Sequence, residues 1–159
     1  IRSGPTVSTP TGWTELYKGT VGGTLTFAGY YKVSNGGEGA SVTVTVGSAR
    51  EGAHNSYQIN GQQSTPEAGL NTAGIDPPSL TPTWGLAKTL FLITGGNVDG
   101  GSTIGTTPTG YGTKIEIAEV NNAVCGSARR ELEATSDNPA AWGTAGTGPC
   151  SATIAIRPA

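Results

Sequence analysis

The stretch Thr24-Leu-Thr-Phe-Ala-Gly-Tyr-Tyr-Lys-Val33, followed by Ser-Asn-Gly-Gly-Glu-Gly-Ala40 and Ser41-Val-Thr-Val-Thr-Val46, decides how this chain reads. Leu25, Phe27, Tyr31 and Val33 fall on one parity of the first arm. Val42, Val44 and Val46 do so in the second, alternating with Ser41, Thr43 and Thr45. A period of two gives each arm one face to bury and one to show to water. Asn35-Gly36-Gly37 tolerates positive φ and lets the chain reverse between the arms. The stretch predicts a β-hairpin, and because an isolated hairpin is unstable in water, the rest of the chain must supply a sheet for its apolar face.

Composition supports that expectation. The chain has 159 residues, of which 13% are charged and 26 are Gly, with no Met. This profile suits one domain of short strands joined by many turns and disfavours long helices. A net charge of −2 leaves no broad basic surface, which argues against nucleic acid or an anionic membrane as partner. No apolar run reaches the length of a membrane-spanning helix, and Ile1-Arg-Ser-Gly-Pro5 lacks the apolar core of a secretion signal.

Outward from the hairpin, residues 1–12 carry Pro5, Pro10 and Gly12 among Ser and Thr. They read as an extended arm lying along a surface or a neighbouring subunit, with residues 13–159 as the folded domain. Trp13–Tyr17 is a first short strand and Gly19–Gly23 a turn. Tyr57 and Ile59 mark another short strand, and residues 62–83, rich in Pro, a long loop. In Trp84–Thr94, Leu90, Phe91, Leu92 and Ile93 are apolar on both parities, as a strand covered on both faces at the centre of a sheet requires. Lys114–Val120 alternates, and Asn121-Asn122 turns it. Ser127–Glu133 alternates too, although its Glu and Arg also suit a helix; its shortness between turn signals favours strand. Ala152–Arg157 closes the chain as a strand.

The expected fold is therefore all-β: a single antiparallel β-sandwich, jelly-roll-like, of about eight or nine strands. Its core is expected from Leu25, Phe27, Tyr31, Val42, Val44, Leu90, Leu92, Ile115, Ile117, Ile154 and Ile156. Cys125 and Cys150, the only cysteines, lie beside Gly126 and Pro149. They are expected to form a disulfide if the strands they flank are neighbours, the alternative being two separate buried thiols. Two Cys and one His are too few to suggest zinc.

The order of short motifs resembles an uncharacterised family of β-sandwich domains among the structural proteins of tailed bacteriophages and prophages. The pieces are Gly12-Trp13 with Leu16, Tyr31-Lys32-Val33, the Gly36–Ser41 turn feeding Val42–Val46, Ala49-Arg50, Leu86–Ile93, Pro108-Thr-Gly-Tyr111 and Ala152–Ala159. They span most of residues 12–159. The family commonly has Gly-x-Glu-Pro where this chain has Gly37-Glu38-Gly39, and it usually lacks the cysteine pair. The resemblance implies a virion protein, assembled in the host cytoplasm, whose partners are major capsid or tail proteins and copies of itself.

No catalytic constellation stands beside it. His54, the single histidine, has no nucleophile motif and reads as a solvated loop residue. Glu116 and Glu119 have opposite parities. Glu131 and Glu133 share a face with each other but lie beside Arg129 and Arg130, as a charged solvent face would. Gly95–Gly101 loosely resembles a calcium turn, though such runs are more often plain loops. Among the aromatics, Trp84 and Tyr111 are the candidate glycan contacts of a rival reading, a carbohydrate-binding module. Tyr30, opposite in parity to Leu25 and Phe27, should point outward. The leading expectation is a non-enzymatic virion structural protein, a capsid decoration or a tail or fibre component, with no cofactor or metal. Ile1, Pro5, Val7 and Pro10 would serve as its attachment arm, pre-stiffened by proline to dock on another chain.

Overall fold

The structure, a computed structural model, describes residues 1–63, 65–98, 103–119, 123–143 and 146–157. Within them the chain is all-β with no helix: seven strands, β1 (Thr14–Val21), β2 (Leu25–Tyr31), β3 (Glu67–Asn71), β4 (Ala87–Asn97), β5 (Gly112–Ala118), β6 (Val124–Ala134) and β7 (Cys150–Ile156). They form a two-stranded antiparallel sheet, β1-β2, and a five-stranded antiparallel sheet in the order β3-β7-β4-β6-β5. The number of strands among the described residues is thus lower than the eight or nine expected. The Asn121-Asn122 turn, Val120, residues 99–101 of the glycine run and residues 158–159 lie outside the described residues.

β4 occupies the centre of the large sheet, as its apolar residues on both parities predict; Phe91, Leu92 and Ile93 are all buried. Directly paired residues share a face. One face carries Phe91, Ile93, Ala128, Val124 and Ala155, and loops rather than strands cover it, through Ile104, Tyr111 and Trp142. The other carries Leu70, Ala152, Thr94, Gly96, Cys150, Cys125, Ile115 and Ile117. Here the β1-β2 sheet lies on top: Leu25 and Phe27 pack with Cys150 and Ala152, and the Tyr17 hydroxyl is 3.0 Å from Thr94 Oγ1.

The predicted hairpin does not form. Asn35-Gly36-Gly37 does bend the chain, with Gly36 at φ 81° and the Gly37 amide donating to Asn35 Oδ1 at 3.0 Å. Yet the second arm never reaches β2: residues 1–3 occupy its outer edge, and residues 5–8 follow on from them. Thr26 N–H donates to the Ile1 carbonyl at 2.8 Å and Ser3 N–H to the Thr24 carbonyl at 2.6 Å. On the outer side of this arm, Ser8 N–H donates to Thr45 O at 3.0 Å, Gly47 N–H to Thr6 O at 2.9 Å and Arg2 N–H to Glu51 O at 3.0 Å. Residues 41–46 therefore flank the arm through the single bridge Val7 to Val46 and form no strand. The partner expected for the arm turns out to be its own domain: Val7 and Pro10 are buried, Ile1 and Pro5 half-buried.

Other expectations divide. Leu25, Phe27, Leu92 and Ile156 are buried; Tyr31, Leu90 and Ile154 are half-buried; Val42, Val44, Ile115 and Ile117 are exposed. Ser127–Glu133 is strand, the middle of β6. Residues 56–59 form no strand, although Tyr57 and Ile59 turn inward while Ser56 and Gln58 face water. The loop assigned to residues 62–83 hides β3. Its Glu-Ala-Gly-Leu-Asn sequence has one large apolar residue, and Gly69 is needed because a Cβ there would sit 3.0 Å from Pro78 Cγ.

Candidate interaction surface

The disulfide expected between Cys125 and Cys150 is absent: both are free thiols. Cys125 on β6 and Cys150 on β7 each pair with Gly96 on β4, one on either side. Their Cα atoms are thus two strand spacings apart, about 10 Å, beyond the roughly 7 Å that a disulfide can bridge. Gly96 leaves a gap between them that the Phe27 ring fills; a Cβ there would meet Phe27 and Cys150 Sγ at 3.3 Å. Burial pushes the Cys125 thiol up to about 11 and the Cys150 thiol up to about 12, so neither is a ready nucleophile.

Tyr111 and Trp84 do not offer open platforms. Tyr111 is buried, donates its hydroxyl proton to Asp137 Oδ2, and lies under the Arg130 guanidinium, 4.6 Å from the ring centroid. Arg130 in turn clamps both oxygens of Asp137, whose side chain is fully buried. Burial is the main cause that raises the Tyr111 hydroxyl to about 12. This triad locks the 135–143 loop onto the sheet. In the sequence Asp137-Asn-Pro139 signals only a chain break. Trp84 is half-buried, packs against the loop-covered core, and donates its indole N–H to Thr89 Oγ1 at 3.1 Å. Tyr30 is half-buried rather than outward.

His54 is exposed, and Glu131 makes an exposed ion pair with Lys88 at 2.7 Å. That pair borders a groove of about 500 Å³ which Ile59, Gln62, Leu90 and Arg157 also line. Among the described residues no group of three or more His, Cys, Asp and Glu is placed to hold a metal ion.

The feature that stands out is an open side of the layered structure. The upper layer starts over β3, where Gly19 faces Leu70, and proceeds through β2 and the arm to residues 45–47. It thins out at β5, where Asn55 Nδ2 donates to the Ile115 carbonyl at 3.4 Å. Asn55 reaches underneath to Ser127 Oγ at 2.9 Å and Tyr57 to the same hydroxyl at 2.6 Å. Beyond them, Ile115 and Ile117 point to the interlayer side and remain 37% and 46% exposed. Val42 and Val44, which lead into the Val46 bridge to Val7, are also 50% and 45% exposed. β5 is also an edge strand, paired only with β6 among the described strands, so half of its backbone donors and acceptors face outward. Alternating apolar patterns at both places signal burial in the sequence; only the layer order shows that this chain alone does not provide it. Comparisons with protein-family models, with curated proteins and with solved structures found no match to this chain.

Proposed function

We propose that the chain is a non-enzymatic structural protein of a tailed-bacteriophage virion, a capsid decoration or a tail or fibre component. It works through protein–protein contacts with capsid or tail proteins and with copies of itself. The observation that carries the reading is the open side: Ile115 and Ile117 face the interlayer space on an edge strand and are only partly covered. Apolar side chains on an unpaired edge invite a further strand, and protecting such an edge by assembly is the role of a structural subunit. The ordered motifs from Gly12-Trp13 to Ala152–Ala159 give the virion setting its support. Attachment through residues 1–12 has less to draw on, since Val7 and Pro10 are spent on the chain's own layer.

The test is location. Antibodies against the purified domain should label particles from the encoding host at regular positions in immunogold micrographs. Particles without label would overturn the reading. So would tight binding on a glycan array that Trp84→Ala abolishes without loss of fold, which would favour the carbohydrate-binding module.

A further inference from the structure

We infer that the β5 edge binds the β5 edge of a second copy, antiparallel, about a two-fold axis at Ile115. The inference rests on the reading of this edge as an interaction surface, and it names the partner. A two-fold perpendicular to the sheet keeps the interlayer faces of both copies on the same side, so Ile115 must oppose a residue of its own parity. With the axis at Lys114 or Glu116, like charges face each other directly. With the axis at Ile115, Lys114 of each copy stands opposite Glu116 of the other, and the two Ile115 side chains meet.

Charge complementarity therefore selects one register among those centred on the edge. Within one chain Lys114 Nζ already lies 3.2 Å from Glu116 Oε2. The two-fold joins two such pairs into a cluster of alternating charge. On the interlayer side the second copy's upper layer approaches the opening from the far side. The register shift between Gly112 and Ile115, with Thr113 at φ 53°, ends the regular edge just before Lys114. The paired stretch is therefore short, and the dimer should form in the micromolar range rather than tighter.

Sedimentation velocity on the wild-type chain and on Lys114→Glu and Glu116→Lys variants tests this. The wild type should dimerise reversibly. Each variant alone places like charges opposite each other and should raise the dissociation constant at least tenfold. An equimolar mixture of the two should restore dimers, because every cross-strand pair is then of opposite sign. Glu116 also accepts from Thr103 Oγ1 and the Ile104 amide, so its variant could lose stability for another reason. Ile115→Lys supplies the second check, since it should abolish the dimer while the circular dichroism spectrum stays that of the wild type. A wild-type chain monomeric at several hundred micromolar, or folded variants whose mixture stays monomeric, overturns the inference. If monomers nonetheless label particles, the virion reading stands and the edge serves a different virion protein. Dimers with no particle label would defeat that reading and leave this one intact.

Discussion

Cys125 and Cys150 stand in one row of the large sheet, each paired with Gly96 from opposite sides of β4. Strand spacing, not redox conditions, keeps them apart. Alkylation in denaturant without reductant should therefore modify both thiols, and native protein should react slowly at neutral pH, because burial raises both thiols. A mass consistent with an intramolecular disulfide in unreduced folded protein would contradict the placement.

The same two thiols make the fold sensitive to alkali. In the unfolded chain they ionise near the ordinary value of 9.0, whereas in the folded protein they hold their protons to about 11 and about 12. Between pH 9 and 11 the unfolded state has thus lost protons that the native state keeps, so stability falls as pH rises. Thermal midpoints of the wild type should drop across this window. The Cys125→Ala/Cys150→Ala double variant should show a shallower slope, and parallel slopes would refute the linkage.

Neutralising Asp137 removes the buried carboxylate that Arg130 and Tyr111 share. Asp137→Asn leaves Arg130 without its carboxylate and Tyr111 without its charged acceptor, at a cost of about 3 kcal/mol in urea unfolding. Lys88→Ala, which breaks an ion pair exposed on both sides, should leave the urea midpoint nearly unchanged. Equal costs would mean that the triad does not lock the loop.

Glycine positions should separate by what a methyl group would meet. At Gly95 a Cβ would lie 2.9 Å from Ile104 Cδ1 and 3.0 Å from Trp142 Nε1, so Gly95→Ala should destabilise by about 1–3 kcal/mol. At Gly39 nothing lies within 4 Å, and Gly39→Ala should change stability by no more than about 0.5 kcal/mol. Denaturant midpoints measured side by side decide it.

Removing residues 1–8 should weaken the fold, contrary to what a free arm would predict. It uncovers the outer edge of β2, removes buried Val7 and frees residues 45–51. A truncated chain with an unchanged thermal midpoint would show the arm to be dispensable.

Local pattern by itself determined the all-β class and several strands. Period two survives in the second half of β6, where exposed and half-buried residues alternate, and the apolar run on both parities of Leu90–Ile93 could satisfy burial only at the middle of a sheet. Tertiary structure alone decided which edges meet. Alternation in Val42–Val46 states that one face wants cover, but it says nothing of the chain that will provide it. The arm, with its prolines and few apolar residues, took the site beside β2 by backbone hydrogen bonds that no side-chain period encodes. β3 was invisible for the complementary reason, since its place depends on the open edge of β7 and on the space that Gly69 leaves for Pro78. Cys125 and Cys150 flank Gly96 because three strands distant in sequence settle into one register, a long-range outcome of pairing and twist that residue spacing does not carry.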